Sequence, residues 1–182
     1  MLNTLLPLSI LFTFLINSFV IAKVFMKREE ALKLAFPAAD RIIKKNIFIN
    51  KEQTLEIESI AKTKLESKLY VFYVGKMGDE TLGYAVIDTH RLRTMTETVL
   101  IVINPDGTHR MTEILAFFEP PDYMPGKNWI DLFQDKPLND SLRIGKGIPN
   151  ITGATITSNS LLNSIRRVLA VFEVAVKRKE LK

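Results

Sequence analysis

The sequence predicts an α+β fold in which an antiparallel β-sheet is packed by one long C-terminal helix, behind an N-terminal membrane or signal helix. Three observations lead there. Four β-rich runs follow one another between residues 69 and 118 with only short turns between them, a pattern of hairpins and not of alternating βαβ units. From Ser158 onward, Leu161, Leu162, Ile165, Val168, Leu169, Phe172 and Val176 recur at helical spacing, which makes a long amphipathic helix whose apolar face should cover the sheet. Before all of this, residues 5–22 form an uncharged, mostly apolar run of 18 residues.

That run is on the border between a signal-peptide core and a membrane span. Val20, Ile21 and Ala22 offer a cleavage site after Ala22, and Lys23, Lys27 and Arg28 follow at once. Residues 1–26 are therefore read as a signal peptide or membrane anchor. The positive charges lie after the apolar run, which by the positive-inside rule favours a cytoplasmic C-terminal part. A buried core helix is the third alternative. Residues 27–66 read as an N-terminal helical segment. "KREEALKLAFPAAD" is a short helix ended by Pro37, with Leu32, Leu34 and Phe36 partly packed. A short strand falls around Ile47 to Ile49. "KEQTLEIESIAKTKLES" is a surface helix with a narrow stripe of Leu55, Ile60 and Leu65.

Residues 67–182 read as the main domain. "KLYVFYVGK" and "ETLGYAVIDT" make one hairpin, and "ETVLIVINPDGTHRMTEILAFF" makes a second. In its turn, Pro105 pre-sets the first corner and Gly107 supplies freedom of φ. "EPPDYMPGKNWIDLFQDKPLND" is a rigid loop with a short helix around Trp129 to Phe133. It either carries functional residues or plugs the core with Tyr123, Trp129 and Phe133. In the C-terminal helix, Arg166 and Arg167 are expected to face away from the apolar side.

Composition narrows the function. The chain has 182 residues, 47% hydrophobic and 25% charged, and no cysteine. Iron–sulfur clusters, thiolate metal sites and cysteine nucleophiles are excluded. The net charge of +5 is scattered, so nothing resembles the basic stripe of a nucleic-acid binder. His90 and His109, read in a loop-like stretch and near a turn, form no recognisable metal motif.

The motif that could carry chemistry is "NITGATITSNS", with hydroxyls at Thr152, Thr155, Thr157 and Ser158 around Gly153 and Ala154. It stands just before the helix, where free N–H groups and the helix dipole favour an anion. Thr157 or Ser158 is the expected N-cap, with Thr155 about a turn ahead of the helix body. Spacing alone leaves two alternatives open, a generous cap or a phosphate site. The motif is neither a Walker A loop nor a Rossmann fingerprint.

"TGATITS" resembles the S/T-G-A-T-x-T-S flavinylation motif of the FMN-binding domain family. That family includes the G subunit of Rnf electron-transport complexes and the C subunit of the sodium-translocating NADH:quinone reductase. "TLGYAVIDT" resembles the family's Gly-Tyr strand. "VLIVINPDGTHRMTEILAFFEPPDYMPG" is similar to its strand, Asp-Gly turn, strand and Glu-Thr-Pro-Gly-type loop, and "NWIDLF" to the Trp and Phe that follow. The likeness covers roughly Leu69 to Leu169.

The resemblance implies an electron-transfer flavoprotein, more an electron carrier or redox-complex subunit than a stand-alone enzyme. It implies FMN with its phosphate at Thr152, Gly153, Ala154, Thr155, Thr157 and Ser158, and its ring against Glu119, Pro120, Tyr123 and Trp129. A phosphoester to Thr155, redox partner proteins or a membrane electron-transport complex, and an extracytoplasmic domain held through residues 5–22 are also implied. One position departs from the pattern: the family's Asp six residues before the acceptor Thr is Pro149 here. That departure keeps a second reading open, an anchored or secreted non-redox binding module that contacts a partner through "EPPDYMP".

Overall fold

The computed structural model describes residues 23–178. The segment 5–22 expected to be a membrane or signal helix lies outside them, and among the described residues no helix is long and apolar enough to cross a membrane.

The architecture is α+β. Six strands form one antiparallel sheet in the order β1-β6-β5-β4-β3-β2. They are β1 (Lys23–Val24), β2 (Arg41–Phe48), β3 (Leu69–Met77), β4 (Glu80–Arg91), β5 (Thr96–Ile103) and β6 (His109–Phe117). The four expected strands are β3 to β6, joined in sequence as a meander. The β5–β6 turn closes with Gly107 N–H donating to the Asn104 carbonyl, and Gly107 takes φ +100°.

Two edge strands complete the sheet. β2 is longer than the expected Ile47–Ile49 strand, because pairing to β3 runs back to Arg41 opposite Lys76. Its exposed Lys44 and half-buried Lys45 hide the strand period. The segment 27–66 thus supplies a strand as well as two helices. β1 caps the other edge, with Lys23 opposite Phe117.

One face of the sheet is covered by α4 (Thr155–Val171), which continues as a π-helical stretch through Lys177. Leu161, Ile165, Val168, Leu169 and Phe172 pack on Phe72, Tyr84, Val86, Val99, Ile101 and Ile103. Alternation along each strand selects these residues for this face. α2 (Lys51–Ala61) lies beside α4. It buries Ile57 and Ala61, whereas Leu55, expected in its stripe, is exposed. The other face carries α1 (Arg28–Ala35), which sets Ala31, Ala35 and Phe36 on Ala85, Leu100, Val102 and Leu115. Leu34, expected to pack partly, is exposed. The Phe36 ring stands where a Cβ on Gly75 would be, so that glycine admits α1 to the sheet.

Arg166 and Arg167 are both buried, contrary to expectation. Arg166 donates from Nε to the Ala61 carbonyl (2.8 Å), and from Nη1 to the carbonyls of Asn139 (2.7 Å) and Leu142 (2.9 Å). It ties α4 to the end of α2 and to the 139–142 loop. Arg167 pairs with Glu66 at 2.8 Å.

Candidate functional site

The candidate site forms at the end of the sheet where β4 turns into β5, where β6 ends and where α4 begins. The β4–β5 turn closes with Leu92 N–H donating to the Met95 carbonyl at 2.9 Å. Glu119, two residues past β6, braces that turn from below. Its Oε1 accepts from Thr94 N–H (2.6 Å), Met95 N–H (2.8 Å) and the Thr94 hydroxyl (3.0 Å). Burial pushes the Glu119 carboxyl up, but these donors outweigh it and hold the group below the usual carboxylate range. With the turn fixed, the exposed Arg93 side chain belongs to the rim of the site. After Glu119, Pro120 leads into a single 3₁₀ turn, Pro121–Tyr123, which sets the Tyr123 ring on the opposite wall.

The third wall comes from the loop ahead of α4. Trp129, on α3 (Lys127–Ile130), donates its indole N–H to the Pro149 carbonyl at 2.7 Å. Its ring meets Phe133 edge-on. Trp129 thus fastens the loop from behind and does not line the site. Gly153 takes φ +86° with open space where a Cβ would stand, so the backbone conformation, and not crowding, calls for glycine.

Helix α4 starts earlier than expected. Thr155 is its first residue and Ala154 is the N-cap, with no side-chain capping hydrogen bond. Thr157 and Ser158, the expected caps, are buried inside the first turn. The Ser158 hydroxyl donates back to the Ala154 carbonyl at 2.8 Å. The first intrahelical bond runs from Ser158 N–H to Ala154. The N–H groups of Thr155, Ile156 and Thr157 therefore have no partner within the helix. Asn50 on α2 shows the contrast, since its side chain accepts from Gln53 N–H at 2.8 Å.

These walls enclose a cleft of about 230 Å³ lined by Arg93, Glu119, Tyr123 and residues 153–157. It gathers Gly153, Ala154, Thr155 and Thr157 from the motif with Glu119 and Tyr123 from the proline-rich loop. Thr152 is exposed outside the lining and Ser158 is packed beneath it. Thr155 keeps its hydroxyl at the surface, with weak contacts to the Ile151 carbonyl (3.3 Å) and the Asn150 amide (3.4 Å). Arg93 was not foreseen, because a lone arginine in a hairpin turn gives no local signal.

A second unforeseen feature is buried on the α4 face of the sheet. His90 and His109 lie in β4 and β6, not in loops, and both are buried. His90 Nδ1 is 3.0 Å from Asp88 Oδ2, and Nε2 is 3.0 Å from Glu97 Oε1. Ser164 on α4 donates to Asp88 Oδ2 at 2.6 Å. Burial alone would lower the His90 pKa, but the flanking carboxylates more than offset it and raise it to about 9. His109 is lowered to about 4 by burial, with one ring nitrogen on the Thr112 hydroxyl at 2.8 Å. The period Val86, Asp88, His90 continues the inward face of β4 and was the available clue.

Chemically, the cleft is suited to holding an anion. A helix N-terminus with unpaired donors, a guanidinium on the rim and small residues at the floor favour negative charge. Its one carboxylate is turned inward to the Thr94–Met95 backbone. No family model and no curated protein matches the chain.

Proposed function

We propose that the cleft binds FMN and that the chain is an electron-transfer flavoprotein. The observation that carries this reading is the meeting of residues 153–157, at the uncapped start of α4, with Arg93 and Tyr123 in one cleft. The residues fit the cofactor. The N–H groups of Thr155, Ile156 and Thr157, free of partners within the helix, are available as phosphate donors, and Arg93 can add a bidentate cation. Tyr123 and the exposed Ile156 offer apolar surface for an aromatic ring. The cleft is smaller than the roughly 300–1,000 Å³ of pockets that enclose a whole drug-sized ligand, which suits a cofactor held at one end.

FMN, when bound, supplies the redox chemistry, and the chain supplies placement and water exclusion. Gly153 shapes the loop that leads into the phosphate donors. Glu119 acts at one remove, fixing the turn that carries Arg93. Trp129 likewise acts as a positioning residue through Pro149. Thr155, with its exposed hydroxyl, is the residue that would form a phosphoester, as the family resemblance implies. The domain then works on the outer side of a membrane, held through residues 5–22, with redox proteins or a membrane complex as partners.

Two measurements test this. Protein purified from its native host should show a flavin-fluorescent band on a denaturing gel, lost on Thr155→Val, if the phosphoester forms. Arg93→Gln should weaken FMN binding by roughly tenfold, the scale of one charge-assisted hydrogen bond. Unchanged affinity would place the phosphate elsewhere. Pro149 favours a second reading, in which the cleft is empty of flavin and the "EPPDYMP" loop contacts a partner subunit. Absence of FMN binding together with capture of a partner by that loop would select it.

A further inference from the structure

The register of the sheet places the entry of the chain and the cleft at the same end of the domain. Lys23 lies opposite Phe117, and Phe117 lies opposite Glu97, so the first described residue sits beside the β4–β5 turn and the 118–124 loop. The apolar run 5–22 therefore reaches the domain at the cleft end. Several apolar side chains are exposed at that end. Val24 is 65% exposed, Ile156 54%, Met95 41% and Met124 37%. It also carries Lys23, Arg91 and Arg93, all exposed, against the exposed acid Asp122. Glu97 and Glu119 are buried there and offset little of that charge at the surface.

We propose that this end docks against the lipid–water interface of an anionic bilayer, with Val24, Met95 and Met124 entering the headgroup layer and Lys23 and Arg91 on lipid phosphates. Apolar side chains and basic residues on one surface are the combination that binds such an interface. The chain of 22 residues outside the described structure ends on this surface, which brings the bilayer to it. The opposite end, at the β3–β4 turn, stands about 25 Å away along eight-residue strands such as β5. That is well beyond the roughly 5–10 Å to which an interfacial surface sinks into the headgroup boundary, so the two ends are distinguishable. The proposal rests on residues 5–22 as a membrane anchor and is independent of whether flavin is bound.

The absence of cysteine makes the test direct. The full chain, carrying Met95→Cys, Met124→Cys or Asp79→Cys with an environment-sensitive fluorophore, is placed in phosphatidylglycerol-containing vesicles with brominated lipids. Flotation of the vesicles reports anchoring, and bromine quenching reports docking. Quenching at positions 95 and 124 but not at 79 is expected. Replacing Lys23 and Arg91 by Gln should lower the docked-to-undocked ratio about thirtyfold, from roughly fivefold per cation near the surface. Flotation with equal quenching at both ends, or with none at position 95, would overturn the proposal. Failure to float would remove it together with the anchor.

Discussion

Discharging His90 should destabilise the domain in the alkaline range. The ring is 3% exposed and held between Asp88 and Glu97, each at 3.0 Å, in the layer between the sheet and α4. Burial works against its charge, but the two carboxylates prevail and raise its pKa to about 9 from 6.5. A base whose folded pKa is raised binds its proton more tightly when folded. Its contribution is complete below pH 6.5 and is lost as the pH rises through 9. The gap of about 2.5 units corresponds to about 3 kcal/mol at 1.36 kcal/mol per unit. That is a large share of the 5–15 kcal/mol typical of a domain.

The assay is urea unfolding followed from about pH 6 to about pH 9.5, on the parent chain and on His90→Gln. The parent should lose about 3 kcal/mol over this range, and the variant should start less stable and stay nearly flat. His109, whose pKa is depressed to about 4, adds the same rise of under about 1 kcal/mol to both chains between about pH 6 and 7 and drops out of their difference. Its contribution is complete above pH 6.5 and is lost only as the pH falls towards 4. A parent chain whose stability is level from pH 6 to 9.5 would refute the reasoning. So would a variant that falls as steeply as the parent.

Two further substitutions probe the frame of the site. Gly153→Ala places a Cβ on a backbone at φ +86°, so it should cost about 1–2 kcal/mol in thermal unfolding. It should also weaken FMN binding, since the loop relaxes away from α4. Arg166→Met removes the donor shared by the Ala61, Asn139 and Leu142 carbonyls. It should cost about 2–4 kcal/mol in urea unfolding, the scale of leaving buried carbonyls without their donor.

Much of the fold was legible because local and global signals agree. β3 to β6 combine strand periodicity with turn residues at the right offsets, and the α4 stripe runs unbroken from Leu161 to Val176. β2 was mostly hidden, because an edge strand exposed on both faces shows no alternation through Lys44, Lys45 and Asn46. In α2, Leu55 and Ile57 are equally apolar in sequence, and only packing against α4 selects Ile57. The α4 start was misplaced by three or four residues, since hydroxyls at 155, 157 and 158 each make a plausible cap. Arg166 was misread as outward, because its acceptors come from residues far along the chain.

The site was legible to a similar degree. The motif and the proline-rich loop were recognisable, and they do share one cleft. Trp129 and Ser158 carry no sign in the sequence of whether they line it or support it. Arg93 became apparent only once Glu119 was found bracing its turn.

The central claim is that the α4 N-terminus holds the phosphate of FMN. It is tested most directly by titrating the flavin-free full chain with FMN and with riboflavin, which lacks the phosphate, and following the quenching of flavin fluorescence. FMN should bind at least about tenfold more tightly than riboflavin, the scale of charge-assisted hydrogen bonds. Equal affinity for the two, or no quenching by FMN, would contradict the account.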